Sequence, residues 1–375
     1  MKQPLLSIVV PTKNRYPYLK KLIELVESFN SNDIELVIQD NSDDNNEILE
    51  FLKDKYPFVV YNHIQGQIPM STNSDKAILN SSGEYVCFIG DDDGVTKEII
   101  PCVRMMKERD VEVLKPTSAS YCWPDVRPGK YFSRSTRVIY DKPTGKLKKI
   151  DNEKVLNEIV SRGFVDRGNM PLLYHGIVRR DVLDKIFAIG GTCFPGSSPD
   201  ISNAVAITLT STRCYTYGKI ITISGASMFH GGGVYLTKKK HPDLNDIKWL
   251  LPGAVDKWDV RLPKIGEGES IWCDSAIKAL QYMKRHDIIE RINFEYLYLH
   301  FALCHKDLYD IVIDFSKKKT LFKLKYLLLS QKRRFDGIIE LLFNLIGRVP
   351  RKQTAVGFND ILEASDYYST INCKI

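Results

Sequence analysis

The sequence predicts an α/β protein: a mostly parallel sheet flanked by helices, followed by a helical C-terminal region. Three observations carry this. Short apolar runs alternate with helix-period segments through the first third of the chain. The polar residues of that third gather just after the apolar runs. Beyond about Asn245 only helical spacing remains. At 375 residues, 43% hydrophobic and 26% charged, the chain has room for one large domain with an appendage, or for two domains.

Leu5 to Val10 is a continuous apolar run, the kind buried on both faces in parallel sheets, and Pro11-Thr12-Lys13-Asn14-Arg15 breaks it. Tyr18 to Phe29 follows with Leu19, Leu22, Ile23, Val26 and Phe29 on one helical face. Ile34 to Gln39 is the second strand, ended by Asp40-Asn41-Ser42-Asp43-Asp44. A short helix from Glu47 to Leu52, a strand from Phe58 to Tyr61 and a helix from Thr72 to Asn80 come next. Tyr85 to Ile89 is a fourth strand; Gly90 ends it, and Asp91, Asp92 and Asp93 follow directly. Strands separated by helices imply parallel pairing with right-handed crossovers.

Consecutive carboxylates repel one another, and a fold tolerates them best where a cation or ligand donors offset the charge. Their oxygens suit Mg²⁺ or Mn²⁺. Asp91 to Asp93 also fit a solvated turn before the helix from Thr96 to Met106. The polar groups after strands one, two and four would all line the carboxyl edge of the sheet, where open α/β sheets bind ligands. No Gly-x-Gly-x-x-Gly and no P-loop is present, which argues against dinucleotide and P-loop sites. The eight cysteines form no Cys-x-x-Cys pair and read as reduced thiols. With no signal peptide and no bilayer-spanning run, the chain is expected on the cytoplasmic side, free or peripheral on the inner face of the cell membrane.

Ser7-Ile8-Val9-Val10-Pro11-Thr12-Lys13-Asn14-Arg15, then Glu35 to Ser42, then Asn73 and Lys76, then Gly83-Glu84-Tyr85 leading to Asp91-Asp92, occur in order over about ninety residues. In these motifs the chain resembles the family-2 glycosyltransferases. The resemblance implies the GT-A fold over 1–243, with a nucleotide-binding half (1–115) and an acceptor half (116–243), ahead of the helical region 244–375. It implies an inverting, metal-dependent hexosyl- or N-acetylhexosaminyl-transferase using a nucleotide-sugar donor, UDP-linked in much of the family. The acceptor would be a glycan or lipid-linked glycan of bacterial surface-polysaccharide assembly. Pro11, Thr12, Asn14 and Arg15 would touch base and phosphates, and Asp40 the base. Asn73, Lys76, Asp91 and Asp93 would complete the donor site, and Asp92 would hold Mn²⁺ or Mg²⁺. Where the family usually has an acid, as in Asp-x-Asp, this chain has Gly90, and its acids are shifted by one place. A nucleotidyltransferase of related fold is the alternative enzyme, though it calls for a Gly-rich phosphate loop that Pro11 to Arg15 lack. A non-catalytic, membrane-docked assembly subunit is the other alternative.

Val111 to Lys115 reads as another strand. The aromatic-rich stretch 118–149 suits a hairpin turning at Pro143-Thr144-Gly145, an acceptor surface, or both. Asp151 to Arg162 reads as a helix, Leu172 to Val178 as a strand in which His175 suits a structural role or a substrate contact, and the segment through Phe187 as a helix. A Gly/Pro/Ser loop leads to the helix from Ile201 to Leu209. Asp200 at its start suits a first-turn acid, and the resemblance makes it the catalytic base. After a strand from Lys219 to Ser224, His230 is a candidate metal ligand by the resemblance, in a Gly-rich loop with Lys238 to Lys240 to meet a diphosphate. Helices are expected over Ser270 to Arg285, Asp287 to Cys304, Leu308 to Phe315 and Leu321 to Gln331. The basic, apolar stretch 316–352 suits an anionic membrane surface, an oligomer contact or an ordinary helical bundle. No RNA-binding module is visible, so nucleic acid is not an expected partner. The polar tail from Gln353 is expected to pack loosely.

Overall fold

The computed structural model describes residues 3–126, 135–228, 241–345 and 352–375, with side chains of 334–345 outside that description. In chain order the strands are β1 (Leu6–Thr12), β2 (Ile34–Asp40), β3 (Val59–His63), β4 (Tyr85–Phe88), β5 (Gly94–Val95), β6 (Val113–Pro116) and β7 (Ala119–Cys122). They continue with β8 (Arg137–Tyr140), β9 (Leu147–Lys149), β10 (Ile177–Arg179), β11 (Cys214–Tyr217), β12 (Thr222–Ala226) and β13 (Gln353–Val356). The main sheet runs β3-β2-β1-β4-β10-β6-β11-β9, and a second sheet runs β13-β8-β7-β12-β5.

The first half of the main sheet is parallel, as the apolar runs require. β1 pairs with β2 and β4, and β2 with β3, in one direction. Thr12 stands beside Asp40 at the carboxyl ends, and the chain leaves β4 into Gly90 at the same edge. The mixed α/β fold, sheets flanked by helices, is the one expected. One apolar core lies between the sheet and the helices 152–161, 180–190, 199–210, 268–282 and 294–304. The other holds the helices 16–27, 99–108 and 361–372. The helices 268–282 and 294–304 therefore share a core with the helix Pro199–Thr210 that begins with the Asp200 turn.

Several local expectations change. Of the run 172–178, only β10 is a strand, and it lies antiparallel to both β4 and β6. The residues before it form a tight turn: His175 has φ 62°, and the Gly176 N–H donates to the Leu173 carbonyl at 2.9 Å. A Cβ on Gly176 would sit 1.9 Å from the Leu172 carbonyl oxygen, so the turn needs glycine. Residues 143–145 do not close a hairpin. β8 pairs with β7 while β9 pairs with β11, so the chain passes there from one sheet to the other. The helix expected over 287–304 is broken, because Asn293 caps a new one, Phe294–Cys304, through its side chain. The tail is packed, not loose. β13 adds to β8, and the helix Ile361–Asn372 buries Ile361, Ala364 and Tyr368 completely. That spacing of three and four places all three on one helical face.

Candidate active site

The acids after β4 are held inward by the end of β1. Thr12 Oγ1 donates to Asp91 Oδ2 at 2.6 Å. The Arg15 guanidinium reaches both neighbours, with Nη2 at 2.5 Å from Asp92 Oδ2 and Nε at 3.2 Å from Asp91 Oδ1. Ser227, just past β12, accepts from Arg15 Nη2 at 3.0 Å and donates to Asp92 Oδ2 at 2.6 Å. Burial pushes the Asp91 carboxyl up to about 7, with Asp92 adding to the rise and Arg15 and Thr12 opposing it. Asp91 Oδ1 is buried and, although near Arg15 Nε, has no partner in hydrogen-bond geometry. A buried carboxylate oxygen with no hydrogen bond, beside a second carboxylate, is a donor set that fits a hard divalent ion, so Asp91 and Asp92 are the residues that would hold Mg²⁺ or Mn²⁺.

Asp93 points the other way and is consumed by the fold. Its Oδ2 accepts from the Gly90 N–H at 2.6 Å and the Tyr174 hydroxyl at 2.9 Å, and its Oδ1 accepts from the Gly225 N–H at 2.7 Å. His175 Nε2 lies 3.3 Å away. Burial raises the Asp93 carboxyl, but His175 and these donors outweigh it and hold it below its ordinary range. The role of Gly90 follows, since a Cβ there would meet Asp93 Oδ2 at 3.1 Å and Asp92 Oδ1 at 3.3 Å. Behind the acids, Trp123 Nε1 donates to the Asp92 carbonyl at 2.8 Å.

An open cleft of about 470 Å³ lies over this edge. Pro11, Thr12, Arg15, Asn73, Asp91, Asp92 and Asp200 all line it, so seven of the residues singled out in the sequence share one cleft. Asp200 is the second residue of the helix Pro199–Thr210, half-exposed, and pairs with Arg167 Nη1 at 3.3 Å. The Tyr174 hydroxyl is raised well above its ordinary range, by burial first and then by the charges of Asp93, Asp200 and Asp92. Asn73 keeps a buried Oδ1 without a partner, facing the cleft wall formed with Asn41.

Four expected donor contacts are not on the wall. Asp40 is completely buried: its Oδ2 accepts from the Tyr16 and Tyr61 hydroxyls, both at 2.7 Å, and its Oδ1 from the Ser42 N–H at 2.8 Å. The neighbouring Asn41 lines the cleft instead. Asn14 is spent tying two loops together, its Nδ2 donating to Asp43 at 2.8 Å and its N–H to Ser42 Oγ at 2.6 Å. Asp93 is committed as described, and Lys76 lies in the last turn of the helix Met70–Leu79, away from the lining. His230 and Lys238 to Lys240 lie outside the described residues, as do Tyr131 and Phe132.

The sequence assigned no role to Tyr174, Gly225, Ser227 or Trp249, and counted Trp123 only among the aromatics of a possible acceptor surface. Tyr174, Trp249 and Gly225 line the cleft, and Trp123, Gly225 and Ser227 position its acids. The one signal available was Gly225 within a strand, which marks a close backbone approach. A Cβ there would lie 1.7 Å from the Asp92 carbonyl oxygen.

The fold and this acidic rim define an α/β sheet protein with its ligand cleft at the carboxyl ends of the strands. Residues 7–164 match the model for glycosyl transferase family 2, the family that the sequence motifs resemble. The chain is 36% identical over 97 residues to the GalNAc(5)-diNAcBac-PP-undecaprenol beta-1,3-glucosyltransferase of Campylobacter jejuni, covering 24% of this chain and 30% of that protein. It is 26% identical over 115 residues to the abequosyltransferase RfbV of Salmonella typhimurium, covering 29% and 34%. The matches thus span about a third of the length of these curated relatives. Among solved structures, S. aureus TarS 1-349 in complex with UDP-GlcNAc aligns with a TM-score of 0.48 at 16% identity, over 88% of this chain and 92% of that one. The mannosyltransferase PcManGT from Pyrobaculum calidifontis, in complex with GDP-Man and Mn²⁺, aligns with a TM-score of 0.40 at 13% identity, over 88% of each.

Proposed function

We propose that this chain is an inverting, metal-dependent glycosyltransferase. It moves a hexosyl or N-acetylhexosaminyl group from a nucleoside-diphosphate sugar, UDP-linked, to a hydroxyl of a glycan or lipid-linked glycan in bacterial surface-polysaccharide assembly. The observation that carries the reading is the meeting of Asp91, Asp92 and Asp200 in one cleft with Arg15 and Lys13 on its wall. The name of the Campylobacter jejuni relative supports the lipid-linked acceptor.

In this reading Asp91 and Asp92 hold the Mg²⁺ or Mn²⁺. When bound, the ion offsets negative charge growing on the leaving diphosphate. Arg15 and Lys13 receive the diphosphate as cationic donors. Asp200 accepts the proton of the attacking hydroxyl, and its ion pair with Arg167 holds it in place. Asn73 and Asn41 offer amide groups to the nucleotide. The test is a thermal-shift screen of nucleoside diphosphates with and without Mn²⁺. One diphosphate, uridine first, is expected to raise the melting midpoint in a Mn²⁺-dependent way; no shift with any of them overturns the reading.

We also propose that the protein works on the cytoplasmic side at an anionic membrane surface. Among the described residues no helix is long and apolar enough to cross a membrane. The helix Lys319–Leu345 buries Phe322 yet exposes Leu321, Leu324 and Leu328 at 44%, 55% and 62%, one stripe at helical spacing. Lys317, Lys318, Lys323 and Lys325 surround it, the combination that binds anionic lipid by charge and apolar burial together. Co-sedimentation with anionic but not neutral vesicles is expected, and equal recovery with both would remove the membrane proposal alone.

A further inference from the structure

Three of the chain's seven histidines, His241, His300 and His305, meet among carboxylates, and none of them lines the acidic cleft. They come from three segments. His241 precedes the short helical turn Leu244–Asp246, Glu267 and Glu269 begin the helix Gly268–Tyr282, and His300 and His305 lie at the end of the helix Phe294–Cys304. We propose that His241, Glu267 and His305, with Glu269 completing the shell, bind one divalent transition ion of the zinc class.

The geometry supports this through the lone pairs. His241 Nε2 lies 2.8 Å from Asp307 Oδ2, and its Nδ1 is in close contact with the Glu267 carboxylate. In the imidazolium both nitrogens donate to these carboxylates; with the proton gone from Nδ1, its lone pair and the carboxylate face the same point, where a metal ion can take the proton's place. His305 Nε2 turns towards the same place, 3.9 Å from Glu267 Oε2 and 3.3 Å from Glu269 Oε2. One atom each of His241, Glu267 and His305 lies within 4.8 Å of the others. With bonds of about 2.0–2.2 Å, ligand atoms of a tetrahedral ion stand about 3.3 Å apart, so the His241–Glu267 pair would part slightly and His305 would close in to admit the ion. Two imidazoles and two carboxylates suit zinc better than Mg²⁺, which prefers oxygen alone. Asp307 holds the far nitrogen of a ligating histidine, the arrangement that orients metal-bound imidazoles. The neighbouring set Glu269, His300 and Cys304 is the weaker one, because Arg333 Nη1 lies 3.5 Å from Cys304 Sγ and opposes a cation there. The ion would fasten the start of one helix to the end of another.

The test uses the full chain, stripped with a chelator and titrated with Zn²⁺ against a chromophoric chelator. Co²⁺ absorption serves as a second readout. One tightly held equivalent is expected, with the intense visible bands of tetrahedral Co²⁺, and addition of Zn²⁺ should raise the melting midpoint. His241→Ala and His305→Gln should each lose that equivalent, while Asp92→Ala keeps it. Asp307→Asn should bind about 10–100-fold more weakly. Folded wild-type protein that binds no equivalent overturns the proposal, as does binding that survives both histidine changes or vanishes in Asp92→Ala.

Discussion

Replacing Gly225 by alanine puts a methyl group where the Asp92 main chain already stands. The new Cβ would lie 1.7 Å from the Asp92 carbonyl oxygen and 2.4 Å from its carbon. A carbon and an oxygen rest at about 3.3 Å or more, so β12 would have to retreat by more than about 1 Å. That retreat breaks the Gly225 N–H bond to Asp93, 2.7 Å long, and loosens the Ser227 bond to Asp92, 2.6 Å long. Overpacking of this kind costs about 1–3 kcal/mol, and losing one donor to a buried carboxylate costs about 1.5–3 kcal/mol more. The sum, roughly 3–6 kcal/mol, should lower the melting midpoint by roughly 4–8 °C for a chain of this length. Ser224→Ala, one residue away, should stay within about 0.5 kcal/mol as the control. Paired thermal and urea denaturation curves measure both variants. An unchanged midpoint for Gly225→Ala would mean that β12 does not brace the acids, and the account of how they are held would be wrong.

Asp200→Asn keeps an acceptor for Arg167 and should leave stability within about 1 kcal/mol. Sugar transfer should fall about 10²–10⁴-fold with donor binding intact, and near-normal turnover would remove Asp200 as the base. Tyr368→Ala empties a fully buried site and breaks the hydroxyl bond to the Ser120 carbonyl at 2.7 Å. A cost of about 3–5 kcal/mol in urea denaturation is expected, and a cost under about 0.5 kcal/mol would mean that the tail is loose after all. Burial pushes the Asp274 carboxyl up to about 6, against the pull of Lys278. Because that is above its unfolded value, its contribution to stability is complete below about pH 4 and is lost as pH rises through 6. Asp274→Asn should therefore be more stable than wild type at pH 8, by up to about 3 kcal/mol, and equal to it near pH 4. A gap independent of pH would contradict the assignment.

The first four strands were legible because their apolar runs are continuous and each ends in polar residues. Parallel pairing then had to bring Thr12, Asp40 and Gly90 to one edge. Which of two adjacent residues faces the cleft was not legible. Gln39, Asp40 and Asn41 are all polar, and a strand buried on both faces gives no alternation to choose between them. The structure turns Asp40 inward onto two tyrosines and leaves Asn41 at the wall. The partners that position the acids, Tyr174, Ser227 and Gly225, lie more than eighty residues away along the chain, and nothing local in the sequence announces such contacts. The tail was misread from its polar composition, although Ile361, Ala364 and Tyr368 already carried a helical spacing.

The most direct measurement is a calorimetric titration of UDP in the presence and absence of Mn²⁺, run on wild type and on Asp92→Ala. The account predicts that Mn²⁺ tightens nucleotide binding to the wild type and has no effect on the variant. A variant whose affinity still rises with Mn²⁺ as the wild type's does would contradict it, because the acids after β4 would then not be what holds the ion.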